Sequence, residues 1–167
     1  MIFTGMSGAL EGTGFRLSSS QEHFARRIAT GRQELAVPLW DHQPVFRFSL
    51  VAGVRLDAVE AVFNEFSGAT GKNAALTLTT MTPLPFFGEY VDVHSVNDAL
   101  HTQPREGFDT TEPLSHAMHA LIVARLADDP GLSRHISRYE AELSGLHPQL
   151  RVRFDGLLQR RATLTSS

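Results

Sequence analysis

Cysteine is absent from this 167-residue chain. Its absence excludes disulfides, thiolate metal sites and a cysteine nucleophile. A basic excess is also missing: 15 Lys and Arg against 18 Asp and Glu give a net charge of −3 and a pI near 6.2. Binding a phosphate backbone depends on a basic face that displaces counterions, so no nucleic-acid partner is expected. Arg151, Arg153, Arg160 and Arg161 form a local basic cluster that reads as a solvated strand face or tail. Long apolar runs are lacking as well. The most apolar stretch, Ala117 to Ala127, is too short to span a bilayer and is interrupted by His119 and Arg125. Met1 to Gly8 has neither the basic start nor the apolar run of a signal peptide. The expectation is a soluble protein with no membrane partner.

Catalytic motifs are equally scarce. Ser67-Gly-Ala-Thr-Gly-Lys72 echoes a phosphate loop, but Phe66 stands where the first glycine belongs and Asn73 replaces the magnesium-binding hydroxyl. Gly12-Thr-Gly14 lacks the third glycine and the preceding strand of a dinucleotide fingerprint. Gly5-Met-Ser-Gly8 is not a nucleophile elbow. Glu22-His23 and Asp41-His42 are neighbours in sequence only, which says nothing about a triad in space. No catalytic or cofactor-binding residue is therefore assigned, and no cofactor is expected. Eight histidines invite a metal reading. His116 and His119 lie three apart on an expected helix, so they are neighbours and weak candidate ligands. Asp109, Asp128 or His135 would have to complete such a site, and the spacing selects none of them; surface or semi-buried histidines are the default.

A hydrophobic content of 42% with 20% charged residues is ordinary globular usage, so a chain of this length can bury a core as one domain. Residues 1–18, with Gly5, Gly8, Gly12 and Gly14, read as a flexible arm, and 19–167 as a single α+β domain. Ser19-x-x-Glu22 resembles a capping box for a short helix through Phe24 and Ile28, with a strand as the open alternative. Residues 32–51 read as two antiparallel strands, with Pro38 at an edge or bulge and turn chemistry at Asp41 to Pro44. Leu56, Val59, Val62, Phe63 and Phe66 form one stripe on a helix over 57–67, opened by Asp57 and Glu60. Ala75 to Thr80 reads as a further strand and Tyr90 to Val96 as another, with Val91 and Val93 inward. Residues 97–112 read as a polar loop.

Two helices follow, with apolar faces at Leu114, Ala117, Met118, Leu121, Ile122 and Leu126, then at Leu132, Ile136, Tyr139 and Leu143. Their short connection implies a helical hairpin over 112–144. The end of the chain reads as a β-hairpin turning at Asp155-Gly156, or else a last helix over 156–164. The fold class expected is α+β: an antiparallel sheet packed by one helix, with a C-terminal helical hairpin.

Two resemblances bear on function. Arg26-Arg-Ile-Ala-Thr-Gly31-Arg-Gln-Glu34, then Trp40-Asp-His-Gln-Pro-Val-Phe-Arg-Phe48, the helix Leu56 to Phe66, and Gly68-x-x-Gly71 resemble the cadence of bacteriophage minor tail and distal tail proteins. That resemblance implies a structural subunit of a phage tail or related injection machine. It would act by ring assembly, as a homo-oligomer with neighbouring structural subunits, in the virion or cytoplasm. Leu76-Thr-Leu-Thr79 and His147-Pro-Gln-Leu150 resemble the paired strands of two-histidine phosphodiesterases. In that alternative Leu76 or Thr77 and Gln149 replace the proton carriers, so the fold would be degenerate for catalysis. A histidine-metal enzyme or small-ligand binder is the third reading.

Overall fold

A computed structural model describes residues 2–18, 23–42, 45–67, 76–80, 88–102 and 113–160. The N-terminal half forms α1 (Ile2–Ala9), β1 (Arg16–Ser18), β2 (His23–Ile28), β3 (Gly31–Ala36), β4 (Leu39–His42), β5 (Val45–Phe48) and β6 (Val51–Leu56). Then come α2 (Asp57–Ser67), β7 (Leu78–Thr80), α3 (Val93–Thr102), α4 (Pro113–Leu126), α5 (Leu132–Glu142) and α6 (Pro148–Arg160). The expected α+β class is what the structure has: an antiparallel five-stranded sheet in the order β1-β2-β3-β6-β7, followed by helices.

The stripe expected on α2 runs as read. Val59 and Phe63 are buried, Val62 and Phe66 are half-buried, and the bounds coincide with the sequence reading. The helix begins directly after β6, and the Asp57 N–H donates to the Thr30 carbonyl at 3.0 Å, tying it to the β2–β3 turn. Gly31 closes that turn opposite Leu56, where only a residue without a Cβ fits beneath the Arg55 carbonyl.

β3 and β6 pair from Gly31↔Leu56 to Ala36↔Val51, and β4 and β5 continue the same register from Leu39↔Phe48 to His42↔Val45. They form one hairpin interrupted at Pro38, which has no N–H to give; its carbonyl accepts from the Ser49 N–H at 3.3 Å. Among the described residues no other strand pairs with β4 or β5, so this end of the hairpin runs on as a two-stranded ribbon.

α4 is the centre of the molecule. Leu114 and His116 through Ala124 are all buried, because α2, α3, α5 and α6 surround it. A helix enclosed on every side has no solvent face. Its two histidines are therefore core residues, which differs from the surface or semi-buried placement expected for them.

Residues 2–18 carry α1 and the edge strand β1, which Arg26 contacts: its guanidinium donates to the Thr13 carbonyl at 3.0 Å and lies 4.8 Å from the Phe15 ring centroid. Three local expectations are corrected. His23–Ile28 is a strand and not the helix suggested by Ser19 and Glu22, which lie outside the described residues. The strand expected at Tyr90 to Val96 is a bend followed by the first turn of α3; residues 97–102 of the expected polar loop continue that helix, and the rest of that loop lies outside the described residues. The Asp92 Oδ1 accepts from the Ser95 N–H at 2.9 Å, and this N-terminal cap overrides the alternation of Val91 and Val93. The C-terminal hairpin is helix α6. Pro148 occupies its first position, Arg151 pairs with Asp155 at 2.8 Å one turn on, and Phe154 and Leu157 are buried. No helix among the described residues is long and apolar enough to cross a membrane.

Candidate functional site

Two polar clusters lie among the helices. The first is deep. Glu60, on the first turn of α2, is fully buried, and its Oε1 accepts from the Thr77 hydroxyl at 2.8 Å. Thr77 in turn accepts from the Leu56 N–H at 3.0 Å. His119 Nε2 stands 3.1 Å from the same Glu60 oxygen, and its Nδ1 stands 3.0 Å from the Ser115 carbonyl one turn back. A carbonyl only accepts, so Nδ1 carries hydrogen and one proton bridges Nε2 and Oε1. The imidazole stacks on Phe63 with centroids 3.9 Å apart. The cluster ties α2, the residue preceding β7 and α4 together inside the core.

The second cluster is half-buried, where α3, the α4–α5 turn and α5 meet. His101 of α3 stacks on His135 of α5, with centroids 3.6 Å apart and planes 14° from parallel. His135 Nε2 stands 3.3 Å from Asp129 Oδ2. Asp129 is oriented by two donors, the Gly131 N–H at 2.6 Å on Oδ1 and the Asn97 amide at 2.7 Å on Oδ2. The Asn97 hydrogen bond holds the Asp129 carboxyl below the usual carboxylate value, with the Gly131 N–H and His135 acting in the same direction against burial. Burial first, and the neighbouring His135 second, press His101 down from 6.5 to about 4, so its ring is neutral at pH 7. His101 Nε2 lies 3.3 Å from the Ala120 carbonyl and so carries the ring's hydrogen. Nδ1 then holds the lone pair, buried and without a hydrogen-bond partner among the described residues. One ligand atom each from His101, Asp129 and His135 lie within 4.8 Å of one another, the only such group among the described residues.

The pairing of His116 with His119 is not what the fold builds. His119 turns to Glu60, while His116 Nε2 faces the Tyr139 hydroxyl at 3.2 Å, which also receives Arg138 at 2.5 Å. Neither belongs to the group above. Of the third ligands left open by the spacing, His135 is in the group, Asp128 pairs with Arg125 at 3.1 Å, and Asp109 lies outside the described residues. His101 and Asp129 went unseen in the sequence. The signal for Asp129 was there: Asp-x-Gly after a helix favours a carboxylate folded back on the backbone N–H. Asn97 and His101, four apart, share a face of α3, but the stretch looked like a loop. His147 to Leu150 lead into α6, so the second strand required by a two-histidine phosphodiesterase is a helix, and the Thr77 hydroxyl is committed to Glu60. Gly68 to Lys72 lie outside the described residues.

The displaced proton affinity of His101 has a measurable consequence for the metal-free protein. Between pH 6.5 and about 4 the unfolded chain takes up a proton that the folded His101 refuses, so stability falls as the pH drops through that window. His135, Arg138 and Asp129 face the ring, and the partial solvent access screens them; the loss expected is roughly 1–2 kcal/mol. Urea midpoints in chelator at pH 7 and pH 4.5 measure it, and His101→Gln is expected to flatten the difference.

Searches of protein-family models, of curated proteins and of solved structures found no match to this chain.

Proposed function

We propose that this chain is a non-catalytic assembly subunit that docks to further copies of itself through the β4–β5 ribbon, as a ring component of a phage tail or related injection machine. The ribbon carries this reading. It continues a sheet hairpin past the point where, among the described residues, any other strand accompanies it. A two-stranded hairpin on its own is marginal in water, and both of its edges offer unpaired backbone groups. Its sequence, Leu39-Trp-Asp-His42 and Val45-Phe-Arg-Phe48, holds the aromatic and arginine side chains that concentrate in interface centres. Strand addition between copies would satisfy the edges, and a head-to-tail contact of this kind forms a ring where its rotation closes. The resemblance to tail-tip proteins runs through these same residues.

The test replaces residues 39–48 with Asn-Gly, a two-residue turn that fits the Pro38–Ser49 junction. Light scattering after gel filtration, with electron microscopy of the same fractions, is expected to show a defined oligomer for the intact chain at micromolar concentration. The shortened chain is expected to be a monomer with an unchanged circular-dichroism spectrum of the helical half. An intact chain that is monomeric at every concentration refutes the reading.

A further inference from the structure

We propose that His101, Asp129 and His135 bind one first-row divalent cation, zinc being the best match to two imidazoles and a carboxylate. The inference is independent of the assembly reading and concerns a different part of the molecule.

The donors come from α3, which supplies His101, and from the consecutive α4–α5 turn and first turn of α5, which supply Asp129 and His135. Nitrogen and carboxylate ligands of tetrahedral zinc sit about 2.0–2.2 Å from the ion and so roughly 3.4 Å from one another. The trio's ligand atoms, within 4.8 Å of one another, are already near that spacing, and the change binding requires is chiefly in ring orientation. The features around the donors are those of a supporting shell for ligands. The Ala120 carbonyl takes the hydrogen of His101 Nε2 and sets the tautomer, leaving a neutral nitrogen buried with no hydrogen-bond partner among the described residues. The Gly131 N–H and the Asn97 amide aim the Asp129 carboxylate.

Gly131 adds a steric argument. A Cβ at that position would stand 3.0 Å from Asp129 Oδ1 and 3.1 Å from His135 Nε2, so the backbone has closed onto the donors as far as a side chain would permit. Binding replaces the His135–Asp129 contact and opens the stacked imidazoles, since two parallel rings do not aim both lone pairs at one ion. His135 sits on the first turn of α5 and keeps some solvent access, so it is the ring free to turn. Three protein ligands leave the fourth tetrahedral position to water or an anion.

The full-length, tag-free chain is stripped with chelator and titrated with zinc chloride at pH 7 by calorimetry. Imidazole resonances are followed in parallel by nitrogen–proton correlation. One equivalent is expected to bind, shifting the rings of His101 and His135 while exposed His94 and His147 stay in place. Asp129→Asn keeps an oxygen and an amide for the shell, and His135→Gln removes the mobile ligand. Each is expected to weaken zinc by at least about 30-fold, whereas His147→Gln leaves affinity unchanged. Stoichiometry well below one overturns the proposal. Affinity in Asp129→Asn and His135→Gln equal to that of the unaltered chain overturns it too, and leaves the trio as an ion-paired packing contact. Circular dichroism of each variant separates lost ligands from lost folding, and the readout does not depend on the oligomeric state that tests the assembly reading.

Discussion

Gly31→Ala is expected to be among the most damaging single substitutions in this protein, lowering stability by about 3–5 kcal/mol or preventing folding. A Cβ on residue 31 would lie 2.0 Å from the Arg55 carbonyl oxygen and 3.2 Å from the Asp57 nitrogen. Those obstacles are backbone, and they lie where β6 becomes α2. Relief requires moving the β2–β3 turn away from the helix start, which breaks the Asp57 N–H to Thr30 carbonyl bond and the Gly31↔Leu56 pairing together. Urea denaturation followed by circular dichroism measures the loss. Gly145→Ala is the control: nothing lies within 4 Å of the Cβ it would add, and its effect is expected to stay within about 0.5 kcal/mol. Equal midpoints for the two variants contradict the account given of the turn.

Glu60→Leu is the second large effect. It removes the acceptor shared by the Thr77 hydroxyl and His119 Nε2 in a fully buried place, so both lose their partner without gaining water. Breaking a buried pair from one side costs about 3–5 kcal/mol, much of it desolvation of the group left behind. His119→Leu removes one of the two groups that face Glu60 Oε1 and leaves it the Thr77 hydroxyl. The double variant, with leucine at both positions, is expected to be less destabilised than the sum of the singles, because two apolar side chains can pack where neither polar group remains. A four-member cycle of urea midpoints reads this coupling. Strict additivity would mean that Glu60 and His119 do not depend on each other.

What the sequence made legible follows from the range of the forces involved. α2 was readable because its acidic first turn and its apolar stripe are local, from Asp57 to Ser67. The β4–β5 hairpin was readable because alternation continues on both sides of a short turn, whereas β6 begins at Val51, where the strand read from the sequence stops. α3 was misread because one cap, Asp92 to Ser95, outweighs two well-placed valines. α6 was misread because Leu150, Val152 and Phe154 alternate, although Val152 is 71% exposed in the helix they form. The two polar clusters were out of reach for another reason. Glu60 and His119 are 59 positions apart, and each had an adequate local explanation, one as a cap and one as a surface histidine. Only the enclosure of α4 on all sides makes a partner for His119 compulsory. His101 likewise meets Asp129 and His135 because α3 packs against the α4–α5 turn and the start of α5, and no spacing rule records that.

The shared register of β3–β6 and β4–β5 makes the hairpin a ruler. Each residue added to both strands lengthens it by about 3.4 Å. Additions of two per strand preserve the side of every residue at the tip, and additions of one exchange the sides. Reach and facing can thus vary between descendants of this gene without disturbing the helices, so divergence among relatives should gather at the tip and come in even steps.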